Sequence, residues 1–278
     1  MILDDVQSQP DDRGVALDQV GVRGLRYPIC VWDREHAKQD TIAEISMSVA
    51  LPAHVKGAHL SRFIEILDTH AGELTQRTIP TVLADMQLRL NSPTAHLCVA
   101  FPYFLARSAP VSGATALMDY ACAFTATAHN GTTRFDLSVR VPVTSVCPCS
   151  KAISDYGAHN QRGYLTLTIT PTRDGEGGFA LVWIEELIDI AEASASSPVY
   201  PLLKRSDERH VTMAGYDHPV FVEDMVRAVA TQLRNDHRIE RFTVEAINDE
   251  SIHNHSAFAR TDWPPRNPLG PPGGAAWS

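Results

Sequence analysis

The feature that most constrains the fold is a regular alternation of apolar and polar side chains between Thr41 and Leu51. Ala43, Ile45, Met47 and Val49 alternate there with acidic and hydroxyl-bearing residues. Successive side chains of an extended chain point to opposite faces, so this period places one face in a core. The stretch therefore predicts a half-buried strand.

An ordered series of elements surrounds this strand. Val20–Trp32 predicts a preceding strand, and apolar residues at helical spacing predict two helices, over His59–Thr69 and about Pro80–Leu90. Strand character returns over Ala95–Ala106 and Ala114–His129. The predicted order is strand, strand, helix, helix, strand, strand.

The same order is predicted again beyond Asn130-Gly131, a dipeptide typical of a tight hairpin turn. A repeated unit of this length implies two similar modules, at 18–130 and 131–262, in one α+β chain with antiparallel sheets. No clear identity links the two halves, so the repeat rests on pattern alone. The second set of predicted elements covers strands 135–146, 164–171, 242–246 and 256–260 and helices 184–193 and 221–235.

Both ends of the chain are expected to lie outside the fold. Residues 1–17 begin with an acidic segment that lacks the apolar core of a signal peptide or anchor, and we expect them to be mobile. Residues 263–278 carry five prolines and three glycines. Such a tail cannot bury enough apolar surface to offset its ordering entropy, so we expect it to be disordered.

Charge and cysteine usage restrict the possible partners and compartment. The formal net charge of −9 argues against a nucleic-acid binder, because such proteins need a cationic surface to displace counterions from phosphate. No apolar run reaches the roughly 18 residues of a membrane helix. An odd number of widely spaced cysteines favours a reducing compartment, so we expect a cytoplasmic protein without nucleic-acid or membrane partners. The five cysteines are Cys30, Cys98, Cys122, Cys147 and Cys149.

The stretch richest in chemistry runs from residue 141 to 164. A strand-like start leads into Cys147-Pro148-Cys149, and His159 follows in a polar segment. Cysteine with histidine suits zinc and its first-row neighbours. Cys-x-Cys alone is also compatible with an ordinary turn and free or structural thiols. Two further polar clusters, at 204–210 and 250–256, recur downstream.

Four runs in one order resemble the motifs of type IB GTP cyclohydrolase, the prokaryotic enzyme that opens GTP on the way to folate and related pterins. They are VPVTSVCPCSKAISDYGAHNQRG, YPLLKRSDERHVT, FVEDMVR and ESIHNHSAFA. The resemblance covers roughly residues 18–262. It implies the tunnelling fold, in which two tandem ββααββ modules form antiparallel sheets with paired helices on one face. It also implies assembly into an oligomeric barrel, expected as a homotetramer, with GTP as the substrate.

The resemblance also implies a metal site that binds zinc, manganese or iron as a divalent ion. Its ligands would be Cys147, His159, Glu208 and His253, a mixed sulfur, nitrogen and oxygen set. His159 could instead be a hydrogen-bonded turn histidine. Glu208 lies in a charge run of the kind that usually forms a solvated face, and Asp207 is an adjacent competitor.

Further roles follow from the same resemblance. His255 would transfer protons, and Cys147 and Cys149 are grouped with it as catalytic residues. Glu223 would accept two N–H donors from the edge of guanine, although a first-turn acid favoured by the helix dipole is the plain alternative. The triphosphate requires charge-assisted contacts, from this subunit or a neighbour. Their candidates, several of which could be ordinary surface residues, are Lys56, His59, Ser61, Arg62, Ser150, Lys151, Lys204 and Arg205.

The implied reaction is hydrolytic opening of the guanine five-membered ring, which yields formate and 7,8-dihydroneopterin triphosphate. Two alternatives stay open at this stage. One is another tunnelling-fold enzyme, a nitrile reductase using NADPH or a pterin synthase, and the other is a non-catalytic metal-binding protein. The chain also departs from the family pattern at Ser196-Ser197, Met213 and Ile247, none of which is a proposed ligand.

Overall fold

The alternation of side chains along the chain produces a nine-stranded antiparallel sheet within the part of the chain that the structure describes. This structure, a computed structural model, describes residues 7, 9–70, 72–175 and 178–264. The strands are β1 Leu17–Asp33, β2 Ala37–Leu51, β3 Thr94–Ser108, β4 Thr115–His129, β5 Thr132–Val146, β6 Asn160–Pro171, β7 Ser197–Pro198, β8 Ile239–Asp249 and β9 Ser256–Trp263.

Neighbouring strands follow the order of the chain. The sheet runs β1-β2-β3-β4-β5-β6-β8-β9, and the short β7 pairs with β5. The helices lie in the connections. They are α1 Leu60–His70, α2 Ile79–Arg89, α3 Pro148–Ile153, α4 Ile184–Ala193, α5 Arg205–Asp217 and α6 Val222–Arg234.

One face of the sheet forms the core. Ile45 and Met47 of β2 are buried with the alternate residues of the other long strands, and the apolar stripes of α1, α2, α4 and α6 pack against this face. Leu83 on α2 and Val229 on α6 are completely buried. The core thus holds the sheet rigid beneath the helices.

The structure confirms the predicted turn and all four predicted helices. Asn130 and Gly131 have φ angles of 47° and 78° between β4 and β5, as a two-residue hairpin turn requires. The helices predicted at 59–69, 80–90, 184–193 and 221–235 correspond to α1, α2, α4 and α6 within two residues at each end.

The second half of the chain differs from the predicted strand and helix order. The polar segment after Cys147 contains α3, and a third helix, α5, lies between α4 and α6. Only Asp207 and Gly215 of α5 are buried, so this helix has no apolar stripe from which it could be predicted. The strand predicted from Tyr164 begins earlier, at Asn160, which brings the sheet next to His159.

The predicted mobile ends lie partly outside the described residues. Residues 1–6, 8 and 265–278 belong to that undescribed part. Pro10 forms an isolated bridge with Val55, Leu17 already belongs to β1, and Trp263 is the last residue of β9. Among the described residues, no helix has the length and apolar character to span a membrane.

Two leucines of α2 test the position of the core. Leu83→Ala should lower the free energy of unfolding by roughly 2–5 kcal/mol, because it removes a wholly buried side chain and leaves a cavity. Leu88 is 81% exposed on the same helix, so Leu88→Ala should change it by less than about 0.5 kcal/mol. Urea unfolding at one protein concentration measures both, and equal losses would contradict this placement of α2.

Candidate functional site

Cys147 and His159 lie opposite each other at the end of the β5–β6 ladder. The last strand pair is Val146 with Asn160, and beyond it the backbone N–H of Cys147 donates to the carbonyl of His159 at 3.1 Å. The ladder therefore continues for one more rung. Two residues that are well separated in sequence become cross-strand neighbours at the mouth of the loop that contains α3.

The sulfur of Cys147 has polar surroundings and is half-buried. Cys147 is the N-cap of α3, and its Sγ accepts the backbone N–H of Ser150 at 3.4 Å. The hydroxyl of Ser150 in turn accepts the backbone N–H of His159 at 3.1 Å. Ser150 thus contacts the Cys147 sulfur and the His159 backbone, a structural role that the prediction of a phosphate contact did not anticipate. Cys149, one residue into α3, is exposed.

The loop between β8 and β9 reaches the same place. Ser251 Oγ lies 3.4 Å from Nδ1 of His159. Two residues further on, the rings of His253 and His255 are exposed and stacked, with centroids 5.0 Å apart. The two ends of the β5–β6 connection and the β8–β9 loop therefore meet at one end of the sheet. This loop contacts the Cys147–His159 pair through Ser251.

The acidic pair on α5 divides into one buried and one exposed carboxylate. Asp207 is completely buried, whereas Glu208 is exposed. Asp207 accepts the backbone N–H groups of Val111, Ser112 and Lys204, each at 2.8 Å, and the Ser112 hydroxyl at 2.6 Å. It therefore ties the start of α5 to the β3–β4 connection. Its oxygens are occupied, which leaves Glu208 as the carboxylate able to reach a ligand.

These contacts also set the protonation of Asp207. Burial raises the pKa of the carboxyl group, but the hydrogen bonds from Ser112, Lys204 and Val111 outweigh burial. The pKa of Asp207 is therefore held well below its usual range. The charged form is the one that accepts four donors, so Asp207 acts as an anionic anchor of α5.

The structure brings together two of the four predicted metal ligands. Among the described residues, no group of three or more His, Cys, Asp or Glu side chains is close enough to hold an ion. Cys147 and His159 are adjacent and offer a thiolate and an imidazole, which suit zinc and its neighbours. Glu208 and His253 are exposed on separate elements. The pair fits a divalent ion as a partial site that other residues must complete.

Glu223 does not cap the helix on which it lies. The carboxylate of Asp224 accepts the backbone N–H of Phe221 at 3.1 Å and so performs this role for α6. Glu223 is exposed in the first turn. This first-turn position is the one that the helix dipole favours for an acidic side chain, as the plain alternative expected.

The predicted phosphate contacts fall in two places. Lys56, His59, Ser61 and Arg62 lie around the start of α1, whereas the other four lie on α3 and at the start of α5. Several have structural contacts. Lys56 Nζ donates to Gln9, Arg62 donates to the carbonyl of Arg89 at 2.7 Å, and Lys151 Nζ donates to the carbonyl of Tyr216 and lies over its ring. Lys204 and Arg205 are exposed.

The departures from the family motifs have different surroundings. Ser196 is buried, and its hydroxyl accepts the backbone N–H of Val146 at 3.0 Å, immediately before Cys147. Ser197 pairs with β5 as part of β7. Met213 and Ile247 are exposed. Ser196 therefore supports the strand end that carries Cys147, a role that its position in the sequence did not indicate.

Sequence comparisons with known proteins all identify the same family. A family model described as Type I GTP cyclohydrolase folE2 matches residues 3–259. The GTP cyclohydrolase FolE2 of Methylococcus capsulatus is 50% identical over 259 residues, which are 93% of this chain and 94% of that protein. The GTP cyclohydrolase FolE2 2 of Dechloromonas aromatica is 46% identical over 265 residues, 95% of this chain and 96% of that protein.

A solved structure shows the fold more distantly. A highly active mutant of Bacillus sp. TB-90 urate oxidase matches with a TM-score of 0.53 and 9% sequence identity. The match covers 88% of this chain and 99% of that chain. At this identity the likeness concerns the fold alone.

The anchoring role of Asp207 can be tested against Asp217, which is exposed on the same helix. Asp207→Ala should lower the thermal unfolding midpoint by several degrees, because it leaves buried donors unpaired, and Asp217→Ala should not. Since the folded-state pKa is depressed, the stabilisation is complete at neutral pH. It is lost as pH falls below the ordinary Asp value of about 3.9 toward the depressed pKa. Calorimetry across pH checks this, and a wild-type advantage that grows on acidification would contradict it.

Proposed function

Because the chain belongs to the type I GTP cyclohydrolase FolE2 family, it has GTP cyclohydrolase I activity in folate biosynthesis, and we propose how its residues perform that reaction. The observation that supports placing the reaction at particular residues is the contact between Cys147 and His159 at the end of β5 and β6. It joins a sulfur donor and an imidazole donor in polar surroundings. The reaction is therefore assigned to this end of the sheet.

The finer architecture belongs to the same proposal. Each half of the chain has its helices between the second and third of four long strands, which supports two tandem ββααββ modules with α3 and α5 as additions. β1 and β9 end the sheet in the described part of the chain, and Phe258 on β9 is 71% exposed. Edge strands with unpaired backbone groups favour pairing with another copy. This supports a barrel of tunnelling-fold subunits, proposed as a homotetramer.

The metal site is proposed to consist of Cys147, His159, Glu208 and His253. A divalent zinc, manganese or iron ion at this site would supply a Lewis acid for hydrolysis. Glu208 and His253 are exposed, so their side chains are free to turn toward the Cys147–His159 pair. Cys149 is proposed to act beside these residues.

The remaining residues are proposed to hold the purine and move protons. Glu223 would accept two N–H donors from the guanine edge and orient C8 toward the site, a contribution of positioning. His255, stacked on His253, would protonate N7 while water adds at C8. A second hydrolysis releases formate, and rearrangement of the ribose with ring closure gives 7,8-dihydroneopterin triphosphate.

The triphosphate is proposed to bind between two groups of polar residues that different copies of the chain contribute. Lys204 and Arg205 are exposed at the start of α5 and Ser150 lies on α3, whereas the group around Lys56 and Arg62 lies near α1. Contacts from a neighbouring copy would let both groups reach one ligand. Charge-assisted hydrogen bonds are the interaction that a triphosphate requires.

The alternative functions have less support. A nitrile reductase needs a nucleophilic cysteine free of metal, and a purely structural metal site needs four protein ligands that close it. Neither alternative explains the family membership.

The cysteines in the described residues are all unpaired, which supports the proposed cytoplasmic location.

Replacement of Cys147 tests the proposed roles. In metal-loaded wild type, GTP should yield formate and, after oxidation, a fluorescent pterin. Cys147→Ala should lose bound metal and reduce turnover more than about a hundredfold, since even residues that only support metal ligands cost up to that much.

Cys30 on β1 provides the control, because it is a half-buried thiol on the far edge of the sheet. Cys30→Ala should keep metal content and turnover near the wild-type values. A Cys147→Ala protein with full metal and activity would show that the ion and the reaction lie elsewhere.

A further inference from the structure

The core-facing rows of three strands change from apolar to polar where they approach the site. On β5 the row ends in Ser145, on β6 it begins with Gln161, and on β8 it ends in Asn248. Each of the three is at least 94% buried. Buried polar side chains are costly unless paired, so their clustering at one sheet end requires an explanation.

Hydrogen bonds join these side chains across the sheet. Asn248 Nδ2 donates to Ser145 Oγ at 2.7 Å, and the Ser145 hydroxyl donates to Gln161 Oε1 at 2.8 Å. Gln161 Nε2 donates to the carboxylate of Glu250, which follows β8 in the chain. We call Asn248, Ser145, Gln161 and Glu250 the strand-end network.

Gly163 makes the first of these bonds possible. Asn248 is paired with Gly163 on β6, and Ser145 lies on β5, beyond that strand. The Asn248 side chain must therefore cross over β6 to reach Ser145. A Cβ atom at position 163 would lie 2.1 Å from Asn248 Oδ1, so only glycine leaves room for the crossing.

The direction of the network follows from its end. A carboxylate can only accept, so Gln161 must present its amide N–H to Glu250 and its oxygen to Ser145. Ser145 must then donate to Gln161 and accept from Asn248. The hydrogen bonds therefore all run in one direction, from Asn248 through Ser145 and Gln161 to Glu250, where the loop begins.

We propose that the strand-end network is a positioning device that fixes the β8–β9 loop, and with it His253 and His255, against the Cys147–His159 pair. Residues 251–256 are exposed, and the two histidines lie three and five residues beyond Glu250. The other side-chain hydrogen bonds of this loop are exposed, from Ser251 to His159 at 3.4 Å and from Ser256 to Asp249 at 3.0 Å, whereas the network reaches the buried strand ends. This inference deepens the proposed function, since it rests on the roles given there to the two histidines. Ser145 and Gln161 touch no substrate and act through the loop.

Removal of a single oxygen tests the network. Ser145→Ala removes the hydrogen-bond partner of Asn248 Nδ2 and of Gln161 Oε1 in a buried place. Backbone amide exchange of residues 250–255 should become about tenfold faster, because Gln161 loses the hydrogen bond that holds its amide group toward Glu250. Turnover of GTP should fall by about tenfold with KM little changed, because guanine is held by Glu223. Gly163→Ala, which keeps all four polar groups but displaces Asn248, should give both changes.

Ser138→Ala is the matched control. Ser138 lies on β5 outside the network and accepts a hydrogen bond from Thr168 Oγ1 at 3.0 Å across to β6. Its removal should leave loop exchange and turnover unchanged.

Two results would overturn the proposal. They are loop exchange in Ser145→Ala within about twofold of wild type, and faster exchange with unchanged turnover. Wild-type protein that releases no formate from GTP would instead overturn the proposed function, and the exchange measurement would still decide whether the network holds the loop.

Discussion

The interaction on which the site depends is the extra rung of the β5–β6 ladder, the hydrogen bond from the Cys147 N–H to the His159 carbonyl. Bringing two residues together across a loop costs entropy, and here the long paired strands offset that cost before the loop is closed. Ser150 reinforces the closure with contacts to both residues. A thiol and an imidazole are thus held by backbone geometry, independently of any ligand.

The sheet also distinguishes this end from the rest of the core. Apolar rows fill the core along most of each strand, and on β5, β6 and β8 they give way to Ser145, Gln161 and Asn248 next to Cys147 and His159. Asp207 performs a similar task on the helical side, where it ties α5 to the β3–β4 connection. Strands and helices therefore carry the anchors, and an exposed loop carries His253 and His255. Anchors on strands and helices are suited to holding functional side chains in a fixed geometry.

The sequence allowed prediction of much of the fold and of the pairing of Cys147 with His159, but not of the residues that support this pair. Alternation and helical spacing predicted the long strands and α1, α2, α4 and α6, because these elements bury apolar stripes. α5 escaped prediction because its buried residues are Asp207 and Gly215, so a structural anchor looked like part of a solvated charge run. The strand-end network depends on cross-strand register, which local sequence does not express.

The most direct test of the metal assignment is anomalous X-ray scattering from crystals of the full chain grown with Zn²⁺ or Mn²⁺. An anomalous peak should lie about 2.3 Å from Cys147 Sγ when zinc is bound, with the imidazole of His159 as a second ligand. Glu208 and His253, from the same chain or a neighbour, should complete the set. A fully occupied ion at another place, with the Cys147 sulfur and the His159 ring both unliganded, would contradict the account.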